Sequence, residues 1–379
     1  MFVPPQSGTR AAKEMNISKK QIILVTDGVY PNNIGGMQMH SLRLLEGFLA
    51  KDILVNLFYP ETTDDQIPDM FRQQISSGQL ILNPISVKKN NLPGAYLLAE
   101  YVYSKKVWCR VKNMADIPVY AQGLTSLYFI NKHHKVIVNP HGLEPFQHYF
   151  QRNKASTIYR MLFKYLFKRA RYVISLGGKL TDILRDNGVT SRKIKEIPNG
   201  IDKGWLFNNY EMKNNQPIKL LFVGRNEPRK ALFILLSVFE DFNAEFELSV
   251  VGAYPKQQDN NVNYIGEVRN ENELKKIFDQ HDILVCPSLA EGMPTVILEA
   301  MARGLAIIAT NVGACSLLVD ETNGWLIPPG NERALGRALQ SVSDAKNGLH
   351  ELKKQSKVKA QKYTWEQIIE QTKQLVDEI

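Results

Sequence analysis

Near the C-terminal end of the chain runs AEGMPTVILEAMARG, which carries two glutamates, Glu291 and Glu299, with seven residues between them. Glu291 falls in a turn marked by Gly and Pro, and Glu299 in an apolar run that reads as a helix. A carboxylate accepts hydrogen bonds well from vicinal hydroxyls. A helix N-terminus offers N–H groups and positive potential to an anion. Pro294 suits the first helical position, so Gly292, Met293 and Thr295 can turn backbone N–H groups toward a phosphate. The two carboxylates would then take sugar or ribose hydroxyls. The alternative is that Glu291 caps the helix and Glu299 is the buried partner of a cation.

Three more constellations have the same character. The apolar run KLLFVGR ends at Gly224-Arg225, and Lys230 follows at the start of a helix. An Arg fork is bidentate and a Lys is a mobile point charge, so the two suit a diphosphate. The alternative is a solvated basic turn, and Arg229 fits that description. The run VIVNPHG delivers His141 to the carboxyl end of a strand, where it can donate a hydrogen bond or act as an acid or base; a His satisfied by local backbone is the alternative. Gly35-Gly36 follows the first strand and lets backbone approach a ligand at a helix N-terminus, or simply caps that helix. His40, inside it, reads as structural.

Strands must end beside these groups and helices must follow them. IILVT, ILVNLFY, LILNPISV, IPVYAQG, VIVNPHG and YVISLG read as buried strands, with helical stretches such as GGMQMHSLRLLEGFLAKD between most of them. After IPNGID the alternation restarts, with KLLFVGR, FELSVVGAY, VNYIGEV, DILVCPS and AIIATNV as strands. KALFILLSVFEDF, ENELKKIFDQH and the run from Pro294 read as helices. Buried strands joined by crossover helices predict parallel sheets covered on both faces. Two such series predict an α/β protein of two doubly wound domains. Polar DKGWLFNNYEMKNNQP marks the boundary. Residues 1–205 are expected as an N-terminal domain and 206–363 as a C-terminal one. The amphipathic segment at about 364–379 is expected to pack back on the first.

Bulk properties agree. A chain of 379 residues suits two domains, and 44% hydrophobic with 22% charged residues is ordinary for a folded protein. Three cysteines without a C-x-x-C favour neither a disulfide framework nor structural zinc, and fit a reducing cytoplasm. MFVPPQSGTRAAKEMNISKK has no apolar h-region, and no apolar run is long enough to span a bilayer. The net charge of +9 favours anionic partners. No nucleic-acid module is recognisable, and the spacing of Gly28 and Gly35-Gly36 is not the G-x-G-x-x-G of a dinucleotide fold.

In order and spacing these motifs resemble the family 4, or group 1, retaining glycosyltransferases of the GT-B fold. The resemblance covers nearly the whole chain. Its most specific part is EGMPTVILEAMARGL, which is similar to the family's Glu-seven-residues-Glu motif. Gly224-Arg225 with Lys230 resembles the phosphate-binding pair, Gly35-Gly36 the N-terminal glycines, and His141 the His at the acceptor-side strand end. IPNGID and GWLIPPGN are also similar to family segments. Ala231 stands where the family usually has Gly, and Ala306 where Pro is frequent.

The resemblance implies two Rossmann-like domains facing across a cleft and a retaining transfer from a nucleotide-sugar, UDP ahead of GDP. Glu299 would hold the ribose, Arg225 and Lys230 the diphosphate, and Glu291 with the Gly292, Met293, Pro294 and Thr295 turn the donor sugar. His141 would hydrogen-bond the sugar in the transition state, and the turn around Val268 would wall the base. No metal or other cofactor is expected. The acceptor would be a glycan or lipid-linked sugar of bacterial envelope or exopolysaccharide synthesis. LPGAYLLAEYVYSKKVWCRVKN and YRMLFKYLFKRARY mix apolar and basic residues, and could rest on the anionic inner face of a membrane or pack on the sheet. A UDP-sugar epimerase and a non-catalytic sugar-nucleotide scaffold are the rival assignments.

Overall fold

The computed structural model describes residues 20–29, 36–61, 69–87, 95–123, 135–142, 161, 164–206, 217–242, 245–252, 257–259, 262–344 and 348–379. Among them, two seven-stranded sheets carry the fold. The first holds β1 (Gln21–Val25), β2 (Leu54–Glu61), β3 (Leu80–Ser86), β4 (Val119–Gln122), β5 (Val136–Asn139), β6 (Tyr172–Ser175) and β7 (Ile194–Glu196). The second holds β8 (Ile218–Val223), β9 (Phe246–Val251), β10 (Gln257–Asp259), β11 (Val262–Gly266), β12 (Ile283–Cys286), β13 (Ala306–Thr310) and β14 (Gly324–Ile327). The helices that matter below are α1 (Gly36–Ala50), α2 (Ala95–Val111), α3 (Lys179–Asp186), α4 (Leu232–Phe239), α5 (Glu271–Asp279), α6 (Thr295–Arg303), α7 (Glu332–Asp344), α8 (Leu349–Ala360) and α9 (Trp365–Asp377).

Strand order in the first sheet is β3-β2-β1-β4-β5-β6-β7, and in the second β10-β11-β9-β8-β12-β13-β14. The second is parallel except for β10, which pairs antiparallel with β11. In each sheet the chain winds outward from one central strand, returns, and winds the other way. The reversal falls between β1 and β4 in the first sheet and between β8 and β12 in the second. Connecting segments leave the two strands of such a pair in opposite directions, so a crevice opens beyond their carboxyl ends. Sequence and structure therefore agree on two doubly wound α/β sheets.

The apolar runs form strands because both faces are covered. Every residue of β12 and β13 is buried. Leu220, Leu235, Leu248, Val250, Ile283 and Ile308 form the centre of the second core, each with 0% exposure. Burying such a side chain contributes about 1.5–3 kcal/mol, which offsets the lost freedom of the ordered chain. α6 ends where Gly304 adopts φ 78, a left-handed cap that glycine reaches without strain.

The chain forms two compact units: residues 1–140, 163–174 and 372–379, and residues 141–162 with 175–371. In the second, Gly200 of IPNGID lies under Trp365, and a Cβ there would come within 2.6 Å of the indole. Ile201 bridges Thr364 in the same place. In the first, Lys20 pairs with Asp377 at 2.8 Å. The polar boundary segment expected from the sequence falls largely on 207–216, outside the described residues.

Some elements differ from expectation. β7, β10 and β14 lie beyond the strands expected from the sequence; β7 (IKE) and β10 (QQD) are three residues long with little apolar signal, and β14 (GWLI) is apolar but only four residues long. Pro294 is the N-cap of α6, not its first helical residue, because its ψ of 112° is extended. α2 is a packed helix: Val107, Trp108 and Val111 are buried, and Lys106 and Arg110 donate to the Ser86 and Pro84 carbonyls at 2.6 and 3.2 Å.

One buried ion pair fixes the register at the end of β12 opposite the second crevice. Asp282, immediately before β12, is 0% exposed and accepts from Lys353 Nζ of α8 at 2.7 Å, itself 2% exposed. Its other oxygen accepts the Lys219 N–H at 3.0 Å, and its carbonyl accepts from Ala306. One residue thus ties β8, β12, β13 and α8 together, β8 and α8 through its side chain and β13 through its backbone. Removing one member of such a pair leaves an uncompensated buried charge. Lys353→Met should lower the unfolding free energy of the second unit by about 3–5 kcal/mol, read from denaturant unfolding; a loss below about 1 kcal/mol would show that the pair is not required.

Candidate functional site

Each crevice gathers polar side chains at the carboxyl ends of its central strands. In the first unit, Thr26 follows β1. Its hydroxyl lies 2.7 Å from that of Ser41 on α1, and its carbonyl accepts from Tyr103 of α2 at 2.7 Å. Beside it, Gln38 donates to Asp27 at 3.2 Å. Partial burial pushes Asp27 up to about 6, and burial together with the Asp27 charge pushes Glu100 up to about 7. Gly36 opens α1, with open space where a Cβ would stand; Gly35 lies outside the described residues. His40 is 2% exposed, and burial holds it down at about 4, so it is a neutral structural imidazole.

The second crevice holds most of the residues singled out from the sequence. β8 delivers Gly224 and Arg225 to its rim. The chain then makes one tight turn over Pro228–Lys230, and Ala231 takes φ 52, ψ 38 before α4 begins. That left-handed conformation costs a residue with a Cβ roughly 1–2 kcal/mol. It turns the chain so that Lys230 points back across the crevice. From the neighbouring strand β12 come Ser288 and Glu291. Lys230 Nζ lies 2.6 Å from Glu291 Oε1, and Ser288 Oγ donates to the same oxygen at 2.8 Å. Arg229 Nη1 stands 3.7 Å from Oε2. Glu291 is 5% exposed, and a carboxylate that deep requires partners of this kind.

Arg225 is the exposed member of the group, with 73% of its side chain accessible. Glu227 receives it at 3.0 Å and Arg229 at 2.6 Å. These cations hold the Glu227 carboxyl below its usual range despite some burial. The two loops are also joined through backbone, because Leu289 N–H donates to the Arg229 carbonyl at 2.7 Å.

Glycine shapes the next few residues. A Cβ on Gly292 would sit 3.1 Å from the His141 carbonyl oxygen. Gly313, at φ 51, has no room for one: it would lie 2.2 Å from the Gly292 oxygen and 2.3 Å from that of Glu291. Ala314 N–H donates to the Gly292 carbonyl at 2.8 Å. The peptide is trans and planar, so the Met293 N–H faces the opposite way. Asn199 fixes Met293, its backbone N–H reaching the sulfur at 3.1 Å and its amide the carbonyl at 3.3 Å. His141 itself has φ 56, a strained value that persists only where the surroundings impose it.

α6 then leads away with Thr295 in its first turn. Glu299, one turn on, is half-buried at the surface of that helix. Desolvation, with the Glu271 charge on α5, pushes its carboxyl up to about 7 against a hydrogen bond from Thr295. Val268 sits half-buried in the turn before α5.

The structure therefore brings Lys230, Glu291, Gly292, Met293 and His141 together in the second unit, with Arg225 at the rim. Gly36 belongs to the first unit. The sequence alone gives Ser288 no role and leaves a solvated turn open for Arg229, yet both face Glu291. Ser288 follows the strand that carries the glutamate loop, and its proximity in sequence was the available signal. Thr310, at the end of β13, donates to the Ser288 carbonyl at 2.5 Å and had no such signal.

Comparison with known proteins finds family matches along most of the chain. Residues 34–205 match the family described as "Glycosyltransferase Family 4", and residues 217–344 match "Glycosyl transferases group 1". The putative colanic acid biosynthesis glycosyltransferase WcaL of Salmonella typhimurium is 22% identical over 48% of this chain and 50% of its own length. The UDP-Gal:alpha-D-GlcNAc-diphosphoundecaprenol alpha-1,3-galactosyltransferase of Escherichia coli is 26% identical over 52% of this chain and 57% of its own. The matches thus span about half the length of these curated relatives. Sucrose-phosphate synthase from Thermosynechococcus elongatus superposes with a TM-score of 0.75 at 19% identity, over 95% of this chain and 99% of that one, which places the present fold in the GT-B class. The chain belongs to the family 4, group 1 glycosyltransferases.

Proposed function

We propose that the protein transfers a hexose or N-acetylhexosamine, with retention, from a UDP-sugar to a glycan or lipid-linked sugar in bacterial envelope or exopolysaccharide synthesis. The observation that carries this reading is the meeting of Lys230 and Glu291 at 2.6 Å across the β8/β12 reversal. It sets a cation suited to phosphate beside a carboxylate suited to hydroxyls. The Escherichia coli relative, named for a UDP-galactose donor and a diphosphoundecaprenol-linked acceptor, supports the donor and acceptor class. The Salmonella relative, named for colanic acid synthesis, supports the pathway class.

In this reading Arg225 and Lys230 take the diphosphate, Glu299 the ribose hydroxyls, and Glu291 with the Gly292–Met293 backbone the sugar. Val268 borders the base, and the N-terminus of α6, with Pro294 and Thr295, adds positive potential. As the glycosidic bond breaks, negative charge grows on the leaving UDP oxygen, and the fixed cations stabilise it. The acceptor oxygen bonds to the anomeric carbon on the same face, and its proton passes to the departing phosphate oxygen. His141 hydrogen-bonds the sugar. No metal takes part in this scheme, the cations doing its electrostatic work.

The protein would act in the cytoplasm at the inner face of the membrane. Among the described residues no helix is long and apolar enough to cross a bilayer. In the first unit Tyr165 is 52% exposed, and Lys164, Lys168 and Arg171 are exposed along the same stretch. This mixture suits peripheral contact with anionic lipid.

Three experiments test these points. In a screen of UDP-glucose, UDP-galactose, UDP-N-acetylglucosamine and GDP-mannose without added metal, one UDP-sugar should stabilise the protein and release UDP slowly. Arg225→Ala and Glu299→Ala should lose both effects. Glu291→Gln should lose turnover while binding free UDP at least as tightly, since Lys230 is released from its partner. No response to any donor or free nucleotide would favour the non-catalytic scaffold. UDP-sugar turned into its epimer without acceptor would favour the isomerase.

The second experiment concerns pH. Desolvation pushes the Glu299 carboxyl up to about 7, and a carboxylate receives both ribose hydroxyls where the neutral acid cannot. UDP affinity should therefore fall about tenfold from pH 8 to pH 6, beyond any fall seen in Glu299→Gln. Parallel pH profiles for the two proteins would remove Glu299 from the ribose site. Third, vesicles containing anionic lipid should sediment the protein and neutral vesicles should not; equal sedimentation would remove the membrane contact.

A further inference from the structure

Glu291 Oε1 accepts two hydrogen bonds, from Lys230 Nζ at 2.6 Å and from Ser288 Oγ at 2.8 Å. If the function proposed above holds, the first of these cannot persist unchanged. A diphosphate entering the crevice brings negative charge that competes with Glu291 for Lys230. When Lys230 turns toward it, the Ser288 hydroxyl stays on Oε1, with Arg229 3.7 Å from Oε2.

Ser288 is built for that duty. It is 1% exposed, so its hydroxyl has no ready exchange with bulk water. Its carbonyl is held by the Thr310 hydroxyl at 2.5 Å, which fixes the backbone from which the side chain projects. On its other side lies Cys286 Sγ at 3.6 Å. Burial and the Glu291 charge push that thiol up to about 11; with the single Ser288 proton on Glu291, Ser288 Oγ can only accept from it. The result is a relay of fixed direction, thiol to hydroxyl to carboxylate, running from the core of the second sheet to the crevice.

We propose that Ser288 is a positioning residue that holds the Glu291 carboxylate in its sugar-binding orientation once Lys230 turns to the donor diphosphate. It touches neither sugar nor nucleotide. Its effect should therefore appear in turnover and not in nucleotide affinity, which a merely structural role would not separate.

The test uses the full-length protein with the UDP-sugar turned over by wild type, and compares Ser288→Ala with Ser288→Thr. Ser288→Ala should lower kcat by about 10- to 100-fold, the effect of losing a hydrogen bond to a charged group. Its Kd for UDP should stay within about twofold of wild type, by the same argument that Ser288 does not reach the nucleotide. Ser288→Thr, which keeps the hydroxyl, should recover most of the lost kcat. A Ser288→Ala kcat within twofold of wild type would overturn the proposal and leave the transferase reading intact. So would parallel loss of kcat, UDP binding and thermal stability in both variants, which marks a packing role. Wild type that neither binds UDP nor turns over any UDP-sugar would overturn the transferase reading, and this proposal with it.

Discussion

A carboxylate that is 5% exposed must be answered by hydrogen bonds and opposite charge. Glu291 sets that requirement, and much of the second unit can be understood as meeting it. Lys230 and Ser288 supply donors, Arg229 adds a more distant charge, and Thr310 and Cys286 hold Ser288. These groups come from β8, β12 and β13 or the loops just beyond them. The arrangement exists only because those three strands lie side by side.

Adjacency of that kind is a product of topology. β8 and β12 are far apart in sequence but neighbours in the sheet, because the chain winds one way through β9, β10 and β11 and then returns. Asp282 secures the return at the opposite end of β12, gripping β8 through Lys219 and α8 through Lys353. The buried ion pair at the base of the strand and the one at its tip have different characters. The first is sealed on all sides and has only a structural part. The second lies at the crevice, where an anion can compete for its Lys.

The succession of strands and helices and the two doubly wound series could be read from the chain, since buried parallel strands are continuous apolar runs with helices between them. The short edge strands could not, because β10 has the sequence QQD and takes its structure from β11. At the site, Glu291, Lys230 and Gly292 were legible as residues with chemistry at the ends of strands. The start of α6 was misplaced by one residue because Pro suits either side of a helix boundary, and only its ψ decides. Ser288 and Arg229 were harder. A Ser and an Arg near a turn are ordinary surface residues in sequence, and only the fold reveals that both face a buried charge. Thr310 reaches the site from another strand, a relation that spacing along the chain does not carry.

The methyl group of Ala231 has a consequence for how the site is kept ready. Glycine at that position, as the resemblance to the family would suggest, reaches φ 52 as easily as many other angles, and so leaves the preceding loop a choice. Alanine has few conformations to choose from, and it is held in a costly one by complete burial and by its N–H bond to the Pro228 carbonyl. The search among loop shapes is thus settled during folding and not at each encounter with a ligand. Lys230 meets an incoming anion from a single starting geometry. What the loop gives up is the latitude to reshape itself around a differently placed phosphate.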